Sequence, residues 1–79
     1  MITFYTWILQ FRKFDNAIGD LSRDISRDSS FPRTVKYEKI LTYLKSVNAC
    51  DNAVITFKKS FTRYQKFILD DYEADRSWK

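Results

Sequence analysis

Val54, Phe57, Phe61, Tyr64 and Ile68 recur at spacings of three, four, three and four. Such spacing puts all five on one face of an α-helix, so the stretch predicts a helix with an aromatic seam that the rest of the chain must cover. A single Gly and a single Pro in 79 residues leave few of the turn residues that hairpins require, whereas Lys, Arg, Leu and Ile recur at helical spacing. The expected fold class is therefore all-α, a compact bundle of four to five short helices. A chain of this length makes one domain and commits most of its large apolar side chains to one core. Aromatic residues, 18% of the chain, offset the small size because each ring buries much area. The expected organisation is one helical domain over residues 1–69, with residues 70–79 a C-terminal helix extension or frayed tail.

Thr3 is suited to cap a first helix whose buried face is Phe4, Trp7, Ile8 and Phe11 and which runs to about Lys13, with Tyr5 and Leu9 widening its apolar arc. Asp15 or Asn16 caps a second helix with Ile18, Leu21 and Ile25 inward, and Gly19 within it implies close approach to another helix. Phe31, held out of the α region by Pro32, is expected to be extended and to plug the core. Thr34 then caps a third helix that buries Tyr37, Ile40, Leu41 and Leu44, with Tyr43 off that stripe. Residues 46–52 break the pattern, with Asp51 the expected N-cap of the central helix and Cys50 a small half-buried side chain just before it. Ser77, Trp78 and Lys79 are expected to be loose, with Trp78 able to fold back onto the domain.

The chain has no His and one Cys. That excludes an intramolecular disulfide, a zinc-finger pattern and the usual His base of nucleophilic catalysis. One Gly cannot build a glycine-rich phosphate loop. Asp20, Asp24 and Asp28 stand at four-residue spacing, but arginines interleave them, and they read as a solvated, salt-bridged face. No enzyme activity, metal or cofactor is expected. The start, Met1-Ile2-Thr3-Phe4, shows no basic leader, and no apolar run is long enough for a membrane span, so the reading is a cytoplasmic chain with no membrane partner.

Charge is unevenly spread. Residues 1–30 carry four basic and four acidic side chains, residues 31–66 eight basic and two acidic, and residues 67–79 two basic and four acidic. Within the basic middle, Lys59, Arg63 and Lys66 form a stripe beside the aromatic seam, which reads first as a solvated face and second as a phosphate-neutralising one.

Phe4-Tyr5 with Trp7 and Arg12, Asp28 followed by Ser30-Phe31-Pro32-Arg33, then Tyr43-Leu44, and finally Phe57, Phe61 and Tyr64 form an ordered set. From about Thr3 to Phe67 this set resembles the YozE-like proteins, short bacterial chains of the Firmicutes type with a sterile-alpha-motif-like helical fold. The resemblance implies that fold and a bacterial, cytoplasmic setting; it implies no reaction, since the family has no established activity. The chain departs from the family where Lys58 and Lys59 replace acidic residues and Phe61 replaces a more usual Trp.

The function expected from these readings is a non-catalytic helical module that binds another protein or itself, with Tyr5, Leu9, Lys36, Lys39 and Tyr43 as candidate surface residues. The alternative is nucleic-acid binding through Arg33, Lys36, Lys58, Lys59, Arg63 and Lys66, with tyrosine rings stacking on bases.

Overall fold

The computed structural model describes the backbone of residues 2–77 and the side chains of residues 2–70. Among the described residues, four helices, α1 (Phe4–Ile8), α2 (Ala17–Ser26), α3 (Tyr37–Ser46) and α4 (Asp51–Ser77), follow one another, with one 3₁₀ turn at Leu9–Phe11 after α1. No strand occurs among the described residues. The all-α expectation holds. The longest dimension is 45 Å, close to the roughly 40 Å that a helix of α4's length spans.

The seam on α4 lies where its spacing puts it: Phe57, Phe61 and Tyr64 are buried, with Val54 and Ile68 half-buried at its ends. The other elements supply what covers it. Phe4, Trp7, Ile8 and Phe11 come from α1 and its 3₁₀ turn, Leu21 and Ile25 from α2, Ile40 and Leu44 from α3, and Phe31 from the turn between α2 and α3. Phe31 is the plug that Pro32 implied.

Local chemistry explains the boundaries. The Thr3 hydroxyl accepts the Thr6 N–H at the start of α1, and the Phe4 N–H, left without an intrahelical partner, reaches the Thr34 carbonyl at 3.3 Å. The expected continuous helix to Lys13 is corrected: the α-helix ends at Ile8 and tightens. There the Arg12 N–H bonds to Leu9, three residues back, at 3.3 Å. An α-helix would have directed it to Ile8, whose carbonyl instead accepts the fully buried Ser22 hydroxyl at 2.7 Å. The tightened turn thus supplies the hydrogen bond that docks α2 on α1.

Asn16, not Asp15, caps α2, accepting the Gly19 N–H at 3.0 Å. Gly19 is close to something other than the expected helix. A Cβ there would stand 1.9 Å from the Phe14 carbonyl oxygen, so the glycine admits the backbone of the turn that enters its own helix. Thr34 does not cap α3. Lys36 holds that position without a side-chain cap, and the Thr34 hydroxyl accepts the Lys36 N–H at 3.2 Å within the preceding turn.

At its other end α3 closes in a Schellman motif. Asn48 adopts a φ of 58°, Ala49 donates to Leu44 at 3.0 Å and Asn48 to Lys45 at 3.1 Å. Asn tolerates this left-handed conformation because its short polar side chain bonds locally, so no second glycine is needed. The Val54 N–H then bonds to the Cys50 carbonyl at 3.1 Å, which makes Cys50 the capping position and moves Asp51 into the first turn. Cys50 is exposed, not half-buried. The expected fold-back of Trp78 lies outside the described residues.

Replacing Gly19 with Ala would ordinarily favour a helix. Here the added methyl meets a backbone carbonyl, and Gly19→Ala is expected to lower stability by about 1–3 kcal/mol. Urea unfolding checks this; a variant as stable as the parent would show that the contact relaxes freely.

Candidate interaction surfaces

Tyr5, Leu9 and Tyr43 are half-buried against the core. The Tyr5 ring lies 6.2 Å from that of Phe31, and the Arg33 guanidinium covers it at 4.1 Å. Tyr43 packs edge-on against Phe31 at 5.7 Å, while its hydroxyl donates to Asp28 Oδ2. These side chains brace the 28–33 turn. Lys36 and Lys39 are exposed at the start of α3.

Asp28 is the hub of that brace: its other carboxylate oxygen accepts the Ser30 N–H at 3.0 Å. The hydrogen bond to Asp28 pushes the Tyr43 phenol up from its ordinary value, with loss of hydration and the carboxylate's charge adding to the shift. Burial also raises Tyr64, whose hydroxyl donates to the Ile2 carbonyl at 2.6 Å.

The six basic residues divide between surfaces. Lys59 and Arg63 border one groove with Asn16 and Ala17 at the start of α2. Arg63 and Lys66 border the next, opposite Trp7, Gln10 and Phe11, together with the exposed Phe67 and Asp70. The Arg63 guanidinium sits 5.2 Å from the Phe11 ring centroid. Lys58 faces another way, towards Lys45 and Asn48 at the end of α3. Arg33 and Lys36 flank Val35 in the linker, and Val35 borders α4 from the side of Gln65, Ile68 and Leu69. Only Lys59, Arg63 and Lys66 therefore form a continuous stripe. Lys59 also borders a depression that contains Asp20 and Asp24, which dilutes its charge.

One surface was not singled out from sequence. Val35, Phe61, Tyr64, Gln65, Ile68 and Leu69 line an open groove of about 430 Å³ between the 33–36 linker and the outer part of α4. Leu69 is 58% exposed and Val35 41%. Leu69 stands beside the seam in helical rotation, and Val35 is a lone apolar residue in a polar linker; those were its only sequence signals. Among the described residues, no group of three or more His, Cys, Asp or Glu is placed to hold a metal ion. No helix among them is long and apolar enough to cross a membrane.

The family model described as the YozE SAM-like fold matches residues 3–66. The chain belongs to that family. Comparison with curated proteins and with solved structures found no significant match. Membership accounts for the helical fold and for the aromatic set that fills it; the function of the family is unknown. The matched region stops at residue 66, whereas α4 continues to Ser77. Phe61 is 3% exposed and packs on Phe4, Tyr37, Phe57 and Tyr64, so its ring fills its place in the core. Lys58 and Lys59 are exposed on α4.

A tyrosine whose pKa is higher folded than unfolded contributes stability that is intact below its unfolded value, about 10, and is lost as pH rises through the folded value. The stability advantage of the parent over Tyr43→Phe is therefore expected to be constant at neutral pH and to shrink above it as Tyr43 ionises beside Asp28. Denaturant melts of both proteins on either side of that window read the difference; an unchanged gap would contradict the pairing.

Proposed function

We propose that this family member is a non-catalytic module that binds protein through the groove between Val35 and the outer part of α4. The observation that carries the reading is the open apolar lining, in which the exposed side chains of Val35 and Leu69 share one concavity with the half-buried Ile68. A domain this small has few apolar side chains to spare from its core, and leaving Val35, Ile68 and Leu69 around one concavity fits a surface that a partner covers. Arg33 and Lys36 stand close to Val35 in the chain, and positive charge near the groove favours an acidic partner segment. The absence of His from the sequence and the single Cys support a binding role over a catalytic one. The exposed lone thiol of Cys50 suits a reducing cytoplasm.

A second reading, nucleic-acid binding, is favoured by one specific arrangement. Lys59, Arg63 and Lys66 follow one flank of α4 beside the exposed ring of Phe67, the combination of phosphate neutralisation and stacking that single strands require. Arg33, Lys36 and Lys58 stand apart from it, which limits the number of phosphates one strand can engage.

One experiment with two arms separates these readings. A photo-crosslinking amino acid placed at Leu69 is expected to trap a discrete protein product in cells, and Val35→Asp is expected to abolish it. The same probe at Lys66 is expected to give no nuclease-sensitive adduct. Failure to trap protein at Leu69, with nuclease-sensitive trapping at Lys66, would reverse the assignment.

A further inference from the structure

On the other flank of α4 from Val35, apolar and charged side chains share one groove. Trp7 and Phe11 form one wall, and Arg63, Lys66, Phe67 and Asp70 form the other. No lining residue is common to this groove and the Val35 groove. Phe67 is 42% exposed, and Arg63, Lys66 and Asp70 are exposed around it. Going back along α4, the basic stripe continues to Lys59; going forward, the chain turns acidic. Residues 58–66 contain four basic side chains and no acidic one; residues 70–75 contain four acidic side chains and no basic one. Among the described side chains, Ile68 is the last of α4 to pack on the core, yet the helix runs on to Ser77, about 14 Å farther. Because α4 is one continuous helix, its acidic end leads away from its own basic stripe and cannot turn back on it. Only a second molecule can bring the two together.

We propose that this groove is filled by α4 of a second copy of the chain, lying antiparallel about a two-fold axis beside Phe67. The charges and the apolar ring that make the contact lie on one face, since positions 63, 66, 67 and 70 follow the i, i+3, i+4, i+7 spacing. A crossing centred between Lys66 and Phe67 sets Arg63 of each helix opposite Asp70 of the other, and Phe67 against Phe67. Lys66 lies beside the axis, within one turn of Asp70 in both copies. Beyond the crossing, the acidic end of each helix runs towards Lys59 of the other. A parallel arrangement would set basic against basic and acidic against acidic, so charge selects the antiparallel one. The contact is isologous: one patch serves both copies, and the assembly stops at a dimer.

Light-scattering mass measured on the full chain across a wide concentration range tests this. The mass is expected to rise from 9.5 kDa towards twice that value. Phe67→Ser is expected to hold it at the monomer value with an unchanged helical circular-dichroism spectrum. Arg63→Asp alone and Asp70→Arg alone each place like charges opposite one another and are expected to weaken association by roughly tenfold or more. Mixing those two variants restores attraction at both contacts and is expected to restore the doubled mass. Val35→Asp is expected to leave the mass unchanged, because the Val35 groove stays open in this dimer, so trapping at Leu69 is read independently. A parent chain that stays at 9.5 kDa throughout, a dimer indifferent to the substitutions at 63, 67 and 70, or a dimer lost with Val35→Asp overturns the proposal. A parent that stays monomeric but binds mixed-sequence single-stranded DNA, with the binding lost in Arg63→Asp, overturns it in favour of nucleic acid on the same stripe.

Discussion

The Phe4 ring is the contact on which the rest of the structure depends. It lies 5.3–5.8 Å from the rings of Trp7, Phe57, Phe61 and Tyr64 and 6.5 Å from Phe31, so one side chain joins α1, the 28–33 turn and α4. Tyr37 extends the cluster from α3, stacking on Phe57 at 5.4 Å and meeting Phe61 edge-on at 5.2 Å. Offset and edge-on pairs of this kind contribute about 0.5–1.5 kcal/mol each beyond the area they bury. For a domain near the lower size limit, they make up for the volume that a larger core would supply.

Single hydrogen bonds then fix how the segments leave that core. Ser22 to the Ile8 carbonyl sets α2 against α1, Phe4 to the Thr34 carbonyl ties the linker to the start of α1, and Tyr64 to the Ile2 carbonyl anchors the N-terminal residues on α4. Among the described residues, every buried side-chain N or O atom has a partner, as a small core requires because an unpaired buried polar atom costs about 1–3 kcal/mol. The Thr34 bond also positions Val35 at the rim of the groove.

The helical periodicity made the inner faces legible. Phe4, Trp7, Ile8, Phe11, Leu21, Ile25, Ile40, Leu44, Phe57, Phe61 and Tyr64 could be assigned to the core because spacing reports which side of a helix faces inward. Phe31 was legible for a different reason, the restriction that Pro32 imposes. The 3₁₀ turn was not, since it arises from Ser22 competing for a carbonyl fourteen residues away. Nor was the role of Gly19, whose neighbour is a backbone oxygen that no residue pattern reveals. Tyr5 and Tyr43 looked like free surface because each lies off its helical stripe, yet Phe31 brings a core ring to both. The groove beside Leu69 was hidden because it pairs one helix with a linker, and linkers carry no periodicity to read.

Such a structure should open as one unit, with α1, α3 and the inner half of α4 held by the same ring. Native-state hydrogen exchange, comparing the parent with Phe4→Leu, tests that directly. The amides of α1, α3 and α4 up to Tyr64 are expected to lose protection together and by the same amount, about 1–3 kcal/mol. Loss confined to α1, with α3 and α4 unchanged, would contradict the central place given to Phe4.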